Sequence, residues 1–269
     1  ISMHSNLIYS AFDPRFNVVS MPFNFESVED ADEKLDGKAG DMLKDILEEY
    51  GLHCMGIAEN GFRQLTNSQR AVTRMECYKR WGADATNMNW SETYTALQQG
   101  TVDGQENPLP AIDAASVQEV QKHCSMWNSI YDCLFFCINQ ELYDSLTPEQ
   151  QKVVDEAGKK AVDYERYINR AGDEEILTRW QEKDGVEVIP HEELDMDSFR
   201  EAVEGIPAWF EQELVHQGYD AKEVEELIGA FSTENGDAYE VEDRSDLGWE
   251  EQTWNFTCST TDTSTWAQA

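Results

Sequence analysis

A helical pattern over residues 147–185 is the feature that most constrains the fold of this chain. Thr147, Pro148 and Gln150 form a helix start, with a capping threonine, a proline at the first helical position and a glutamine that completes a capping box. Apolar residues then recur at helical spacing as far as Gly185. At ~1.5 Å per residue, an unbroken helix here is about 50 Å long. One small domain does not need such a helix, so the pattern predicts an element shared by two lobes.

Shorter predicted elements surround this helix, and Gly158 and Gly172 are points where it could bend. The sequence predicts a helix from Ser27 that is broken at Gly37 and Gly40 and ended by Gly51, strands at 52–58, 130–138 and 186–189, a helix at 197–217 interrupted by Pro207, and a last helix at 221–231. Alternating strands and helices indicate an α/β chain. Residues 236–269 show no clear period, and we expect an irregular tail there.

The charge of the chain is strongly negative. In 269 residues, 54 Asp and Glu against 20 Lys and Arg leave a formal net charge of −34. This charge disfavours nucleic acid and anionic membranes as partners. The acids are spread along the whole chain, so we interpret them as a solvated shell rather than as a patch for a cationic ligand. An anionic ligand would then need nearby arginines to reverse the local potential.

Membrane insertion and secretion leave no mark on the sequence. No apolar run approaches the roughly 20 residues needed to cross a bilayer. The chain opens Ile1-Ser-Met-His-Ser5, without the basic segment and apolar core of a signal peptide. Taken alone, these features would indicate a cytoplasmic protein.

Six cysteines make an even count, but no CxxC pair occurs. We expect most of them to be buried small hydrophobes. His123, Cys124, Cys133 and Cys137 could in principle hold zinc, yet their spacing fits no common template. The sequence therefore predicts no metal and no cofactor.

Residues 90–108 read as a short helix, a glycine stop, a strand and a polar turn. Ser91 is the predicted N-cap, Gly100 the residue that closes the helix, and Thr101 the start of the strand. Polar groups at 103–108 follow at the far end of that strand. Ligands of open α/β sheets bind at the carboxyl ends of strands. The turn therefore predicts a small-molecule site.

The same stretch carries a family resemblance. Residues 90–108 resemble the signature FSEVYTALQQGVVDGQENP of the solute-binding subunits of tripartite ATP-independent periplasmic (TRAP) transporters. Four further segments, at 21–25, 60–67, 119–122 and 146–152, resemble the LPFLF, NGFRQLTN, EVQK and LSPEDQK of that family, in the same order. The resemblance extends from about residue 21 to residue 231.

The resemblance implies a periplasmic-binding-protein-like α/β fold, with two lobes around a cleft that are joined by crossing strands and the long helix. One lobe would hold residues 1–60 and 133–172, and the other residues 61–132 and 173–235. The implied function is the periplasmic capture of a small organic acid and its delivery to a TRAP membrane permease. C4-dicarboxylates, sugar acids, sialic acid and ectoine are not distinguished by these residues.

Three residues matching family motifs are the predicted binding groups. Arg63 follows the strand at 52–58, and its planar guanidinium suits a carboxylate in two-point contact. Asn107 can orient a carboxylate or hydroxyl, and Trp90 can supply an apolar wall. The alternatives are a surface arginine, a turn residue before Pro108 and a hydrophobic staple. Gln105 and Glu106 are expected to give structural support.

The chain also departs from the family pattern. Family members carry a GLKIRV-like strand after the segment that matches residues 70–72, and its arginine makes the main salt bridge to the ligand. That strand is missing here, and Arg74 is the residue that could replace the lost arginine. Residues 21–23 match a segment that lies well inside a typical family member. The resemblance therefore implies that the first strands and helices of the N-terminal lobe, with any signal peptide, are missing from this sequence.

Two other functions remain open at this stage. An acidic interaction module would explain the tryptophans of the tail but not the ordered motifs. A carboxylate-dependent hydrolase would need a catalytic pattern, and GxSxG, HExxH and a phosphate-binding glycine loop are all absent from the sequence. We therefore expect a binding protein and not an enzyme.

Overall fold

The computed structural model of the protein describes residues 1–67 and 88–231. The strands of these ranges are β1 (Ser2–Ser5), β2 (Leu52–Asn67), β3 (Gly104–Pro108), β4 (His123–Asn139) and β5 (Glu187–Ile189). The α-helices are α1 (Asn6–Tyr9), α2 (Val28–Asp36), α3 (Lys38–Glu49), α4 (Trp90–Gln98), α5 (Leu109–Ala114), α6 (Gln140–Asp144), α7 (Pro148–Arg179), α8 (Met196–Val203), α9 (Ile206–His216) and α10 (Ala221–Ala230). Arg74, Cys77, Cys258 and the predicted tail at 236–269 lie outside the described residues.

One mixed sheet organises the described chain. Its strand order is β1-β4-β2-β3, and β5 pairs with β4 as well. The two long strands β2 and β4 run antiparallel from Leu52 opposite Asn139 to Asn67 opposite His123. β1 and β3 add antiparallel neighbours, whereas β5 is parallel to β4. The β2–β4 ladder is therefore the backbone of the fold.

Separate hydrophobic clusters pack on the two ends of this ladder. The first contains Leu43 of α3, Ile57 of β2 and Phe135 of β4, and side chains of α9 and α10 also pack into it. Two smaller clusters at the other end are built around Trp127 and around Trp180. Burial of these apolar groups stabilises each end of the sheet.

Between the clusters the ladder carries buried polar side chains. We call this set the polar belt, and it comprises Glu59, Gln64, Ser129 and Asp132. Gln64 donates to the Asn128 side chain at 2.7 Å, and the Tyr131 hydroxyl donates to Glu59. Burying such groups is tolerated when they are hydrogen-bonded. Ser129 Oγ differs, because it is buried with no hydrogen-bond partner among the described residues. The ladder is thus apolar at both ends and polar at its centre.

The long helix α7 forms as the sequence predicts. Both hydrogen bonds of the capping box between Thr147 and Gln150 are present, and the helix is unbroken at Gly158 and Gly172. At ~1.5 Å per residue it is about 48 Å long. A π-helical turn, Trp180–Asp184, follows it, and Gly185 ends the run with a φ of +66°.

The helix signals in residues 27–51 and 197–217 are confirmed, except at Gly40. Ser27 caps α2 by accepting from the Asp30 amide at 3.2 Å, and Gly37 separates α2 from α3. Gly40 does not break a helix, because it lies inside α3. Pro207 lies in the first turn of α9, and the predicted interruption is the break between α8 and α9.

The predicted strand bounds are too short. The strand expected at 52–58 extends to Asn67, and the strand expected at 130–138 begins at His123. Polar residues such as Glu59, after the first apolar run, and Asn128, before the second, interrupt the apolar pattern, so the sequence indicated a strand end at each. Tertiary partners satisfy these groups, and both strands therefore continue. In consequence Arg63 lies within β2 and not after it.

Two further findings concern the described residues. Cys54, Cys124, Cys133 and Cys137 are buried thiols, as expected. None of the helices in residues 1–67 and 88–231 combines the length and apolarity needed to span a membrane.

Candidate functional site

The helix at the start of the 90–108 stretch begins one residue before the predicted cap. Asn89 is the N-cap of α4, and its side-chain oxygen accepts from the Ser91 amide at 3.2 Å. The prediction of Ser91 as N-cap is therefore wrong, because Asn89 offers the same type of acceptor two residues earlier. Gly100 adopts a φ of +69° just past the helix, as predicted.

The polar residues after α4 form a strand and not a turn. β3 covers Gly104–Pro108, whereas Thr101 and its neighbours are bends. The strand pairs antiparallel with β2, with Asn107 opposite Gln64 and Pro108 opposite Arg63. The backbone hydrogen bonds of this ladder stabilise an extended conformation that the polar composition did not indicate. The interpretation of Asn107 as a turn residue is also excluded.

Arg63 is held by two residues of β3. Its Nε donates to the Glu106 carboxylate oxygens at 2.9 and 2.8 Å. Its Nη2 donates to the Glu106 backbone carbonyl at 2.9 Å and to Asn107 Oδ1 at 3.0 Å. The side chain is only 13% exposed. This burial argues against the alternative of a surface arginine that answers the acidic shell.

Asn107 links Arg63 to the rest of β3. While its Oδ1 accepts from Arg63, its Nδ2 donates to Gln105 Oε1 at 2.8 Å. Gln105 in turn donates to Thr66 Oγ1 at 2.9 Å. Hydrogen bonds at both Oδ1 and Nδ2 therefore fix the orientation of the Asn107 amide, and the amide in turn helps to fix the orientation of the Arg63 guanidinium.

A second carboxylate, Asp132 of β4, lies beside the guanidinium. Its Oδ2 is 3.7 Å from Arg63 Nη1. Ser5 donates to Asp132 Oδ1 at 2.6 Å, and Asn60 donates to Oδ2 at 3.1 Å. Asp132 therefore connects β1, β2 and β4 at the polar belt.

A small cavity of about 90 Å³ adjoins Arg63. Among the described residues, its lining comprises Asn6, Leu7, Ser20, Arg63, Glu106, Ile130, Tyr131 and Asp132. Asn6 is fully buried, and its Nδ2 donates to Ser20 Oγ at 2.7 Å. Its Oδ1 is buried with no hydrogen-bond partner in the described part of the chain. An acceptor in this state suits the hydroxyl of a bound molecule.

Of the predicted binding residues, Arg63 lines this cavity, whereas Asn107 contacts Arg63 from β3 but is not among the described lining residues. Trp90 is the first residue of α4 and is 37% exposed, and it is not among the described lining residues. Because the N-cap is Asn89, Trp90 lies inside the helix, and the predicted staple before the cap does not form. Arg74 lies outside the described residues.

The described part of the site is net negative. Arg63 contributes one positive charge, while Glu106 and Asp132 contribute two negative charges. A ligand carboxylate placed here is therefore attracted by one group and repelled by two. Further positive charge is needed if an anion is to bind well.

Sequence reasoning missed Asn6, Ser20 and Asp132, and it ranked Glu106 as support. Asp132 had a detectable signal, because it is the lone acid within the apolar run at 130–138. A charge in such a run is costly unless it is paired. Asn6 and Ser20 had no comparable signal, since each is a common polar residue in an irregular context.

A larger groove of about 390 Å³ lies elsewhere. Its described lining comes from the end of α7 and the turn that follows, and includes Glu174, Arg179 and Lys183. One continuous segment supplies all of these groups, so they do not converge from different elements as ligand sites require. The smaller cavity at Arg63 is therefore the stronger candidate.

Comparisons with known proteins show the family and the fold of the chain. The family described as bacterial extracellular solute-binding protein, family 7 (DctP) matches residues 1–213. The chain belongs to this family. It is 32% identical over 212 residues to the 2,3-diketo-L-gulonate-binding periplasmic protein YiaO of Escherichia coli K12, covering 72% of this chain and 64% of that protein. The chain thus spans slightly under two thirds of the curated relatives it matches first, from 64% to 66% of their length.

Solved structures show the same fold. A TRAP periplasmic solute binding protein from Sulfitobacter sp. NAS-14.1 with bound β-D-galacturonate aligns with a TM-score of 0.74 and 28% identity, over 85% of this chain and 79% of that one. Another from Polaromonas sp. JS666, bound to D-erythronate, aligns with a TM-score of 0.72 and 31% identity, over 84% and 78% of the two chains. The fold is therefore the predicted two-lobed, periplasmic-binding-protein-like α/β fold, and the family is one of solute-binding proteins.

Proposed function

We propose that this protein is an extracytoplasmic solute-binding subunit that captures a small organic acid at Arg63 and catalyses no reaction. The observation that carries the proposal is the buried guanidinium on the wall of a cavity in the polar belt. Glu106 and Asn107 fix its orientation from β3. A guanidinium held in advance loses little entropy when it binds a carboxylate.

The proposed ligand class is a hydroxylated, or sugar, acid. Glu106, Asp132 and the orphan Oδ1 of Asn6 give the cavity more hydrogen-bond acceptors than cations. Acceptors of this kind bind hydroxyl groups, whereas a plain hydrocarbon acid would leave them unsatisfied. The β-D-galacturonate and D-erythronate of the similar structures are ligands of this class.

The ligand carboxylate also needs a second cation. We assign this role to Arg74, which would offset the second acidic side chain of the cavity. Trp90 is proposed as an apolar wall from α4. The cavity of about 90 Å³ is smaller than the 300–1,000 Å³ of typical ligand sites, so the described residues supply only part of the enclosure.

The proposed mechanism is closure of two lobes around the ligand. One lobe would comprise residues 1–60 and 133–172 and the other residues 61–132 and 173–235. The β2–β4 ladder and α7 would connect them. Ligand contacts from both lobes would favour the closed state. In the periplasm, a TRAP permease would then recognise the closed form and take up the acid.

A thermal-shift screen of the full chain tests this function. D-galacturonate, D-glucuronate, D-erythronate, succinate, sialic acid and ectoine would be compared at matched concentration, with D-galactose as the uncharged control. We expect a sugar acid to raise the melting temperature, because a ligand that binds only the folded state stabilises it. The absence of stabilisation by every acid would contradict the proposal.

A matched pair of variants separates binding from folding. Arg63→Ala removes the proposed ligand contact. Arg15→Ala removes an arginine with the same side-chain exposure of 13%, which pairs with Asp13 and Glu49 away from the cavity. We expect both to lower the melting temperature, but only Arg63→Ala to abolish the shift caused by the acid.

A further inference from the structure

Two buried thiols face each other across the central ladder. Cys54 of β2 and Cys137 of β4 are directly opposite partners in the antiparallel register. Such partners point to the same side of a sheet. Their exposed fractions are 8% and 0%. A hydrogen bond between the two thiols raises the pKa of Cys54 and lowers the pKa of Cys137.

The backbone at this pair suits a disulfide. Opposite residues of an antiparallel pair have Cα atoms about 4.5–5.5 Å apart, and disulfides accept roughly 4.4–6.8 Å. A register shift follows Cys54, between it and Gly56. The extra residue of a bulge gives the strand local freedom to adjust. A bridge here therefore requires little movement of either strand.

The other two described cysteines have no such partner. Cys133 lies opposite Glu59, and Cys124 lies opposite Thr66. Both are fully buried, as Cys137 is. They differ from the facing pair in what lies across the ladder and not in their burial, so they are matched controls.

We propose that Cys54 and Cys137 form a disulfide that joins β2 to β4. The oxidant is an external disulfide such as oxidised glutathione. The thiolate of one cysteine attacks a glutathione sulfur and releases one glutathione thiolate, and the other cysteine then displaces the second. The two protein thiols lose two electrons and two protons, and one glutathione disulfide becomes two thiols.

The exchange takes place while the chain folds, before the sulfurs are enclosed. In the folded protein β1 pairs with β4 on the far side, with Ser2 opposite Cys137, and the Tyr9 hydroxyl lies 3.7 Å from Cys137 Sγ. Once formed, the bridge is shielded from reductants by the same groups. It closes the loop 54–137, which contains β3 and Arg63. Long loops of this kind gain the most from a cross-link in the chain-entropy description.

The experiment uses the full chain with Cys77→Ser and Cys258→Ser, so that the four described cysteines are the thiols that react. The protein is unfolded and refolded either with excess dithiothreitol or in a glutathione redox buffer. Free thiols are then blocked in denaturant with a maleimide, and the tags are counted by mass. We expect four tags after reducing refolding and two after oxidising refolding, with a peptide linking Cys54 to Cys137. The oxidised form should melt roughly 5–10 °C higher.

Two single variants make the result specific. Cys133→Ser should still form the bridge and leave one free thiol, whereas Cys54→Ser should keep three thiols under both conditions. Four tags on the soluble protein after oxidising refolding would overturn the proposal. A bridge that links either residue to Cys124 or Cys133 would overturn it as well. The count is made on the denatured chain, so a destabilised variant still gives an answer.

Discussion

The guanidinium of Arg63 and the side-chain oxygen of Asn107 are joined by a hydrogen bond of 3.0 Å between neighbouring strands. The two residues lie on either side of the β2–β3 ladder, at the polar centre of the sheet. Asn107 accepts from Arg63 without neutralising it. This hydrogen bond orients the arginine without adding a further negative charge to a site that already contains Glu106 and Asp132.

Asn107→Asp should therefore weaken acid binding while preserving the fold. The substitution keeps the shape and the hydrogen bond from Arg63, removes the Nδ2 donation to Gln105, and adds a negative charge about 3 Å from the guanidinium. Repulsion between two like charges about 4 Å apart costs on the order of 1–4 kcal/mol, so we expect the dissociation constant to rise by about fivefold or more in calorimetry. Gln105→Glu adds the same charge to the same strand without touching Arg63 and should have a smaller effect. Equal losses in the two variants would show that only the overall charge matters.

Glu106→Ala should destabilise the protein. It leaves Arg63, which is 13% exposed, without its two-oxygen partner and with Asp132 as a more distant carboxylate at 3.7 Å. Breaking a buried ion pair by removing one partner costs about 3 kcal/mol. Urea unfolding would measure the loss. Glu119→Ala, which removes an exposed carboxylate that accepts from Tyr94, should stay within about 0.5 kcal/mol of the parent. A Glu106→Ala protein as stable as this control would show that the ion pair is unimportant to the fold.

Two glycines of α7 should respond in opposite directions to alanine. A Cβ at Gly158 would lie 2.5 Å from the Cβ of Met55, whereas a Cβ at Gly172 would meet nothing within 4 Å. Overpacking costs about 1–3 kcal/mol, while replacing a helical glycine where an added Cβ meets no neighbour gains about 1 kcal/mol. We expect Gly158→Ala to lower the free energy of unfolding and Gly172→Ala to raise it. Stabilisation by both substitutions would contradict the close contact between α7 and β2.

The stability of the protein should fall as the pH rises from about 4 to about 7. Burial raises the pKa of Glu165 and of Asp173 to about 7, and the nearby charge of Glu59 adds to this effect. In the unfolded chain both groups titrate near 4. The folded state therefore binds more protons across this range, and the stability present at low pH is lost as these groups ionise.

Asp173→Asn tests this pH dependence, because it keeps the shape and removes the titration. Melting temperatures between pH 4 and 8 should decline less in the variant than in the parent. Asp41→Asn, at a side chain that is 69% exposed, is the control and should reproduce the parent profile. Parallel profiles for the parent and Asp173→Asn would show that Asp173 does not titrate in this range.

The helix ends were predictable because their causes are local. The capping box at Thr147, the cap at Ser27 and the positive-φ glycines at 51, 100 and 185 each act within a few residues. The sequence contains all the information that such a signal needs. The one misplaced cap, Ser91, reflects a choice between two acceptors that lie two residues apart, Asn89 and Ser91.

The strand lengths and the residues that line the cavity at Arg63 were not predictable, because their causes are contacts between residues far apart in sequence. Glu59 and Asp132 are stabilised by side chains more than 70 residues away in sequence, such as Tyr131 and Asn60 respectively. Polar residues 104–108 form a strand only because β2 is there to pair with them. Asn6 and Ser20 reach the cavity through packing that no local pattern encodes. The family motifs nevertheless identified Arg63 and Asn107, which the structure brings together.

The most direct measurement is a calorimetric cycle on the carboxylate itself. The acid that stabilises the protein most and its uncharged methyl ester would each be titrated into the parent and into Arg63→Ala. We expect the parent to prefer the acid by at least tenfold, and Arg63→Ala to lose most of that preference while binding the ester about equally. If Arg63→Ala keeps the full preference for the acid, the carboxylate is bound elsewhere and the central claim is wrong.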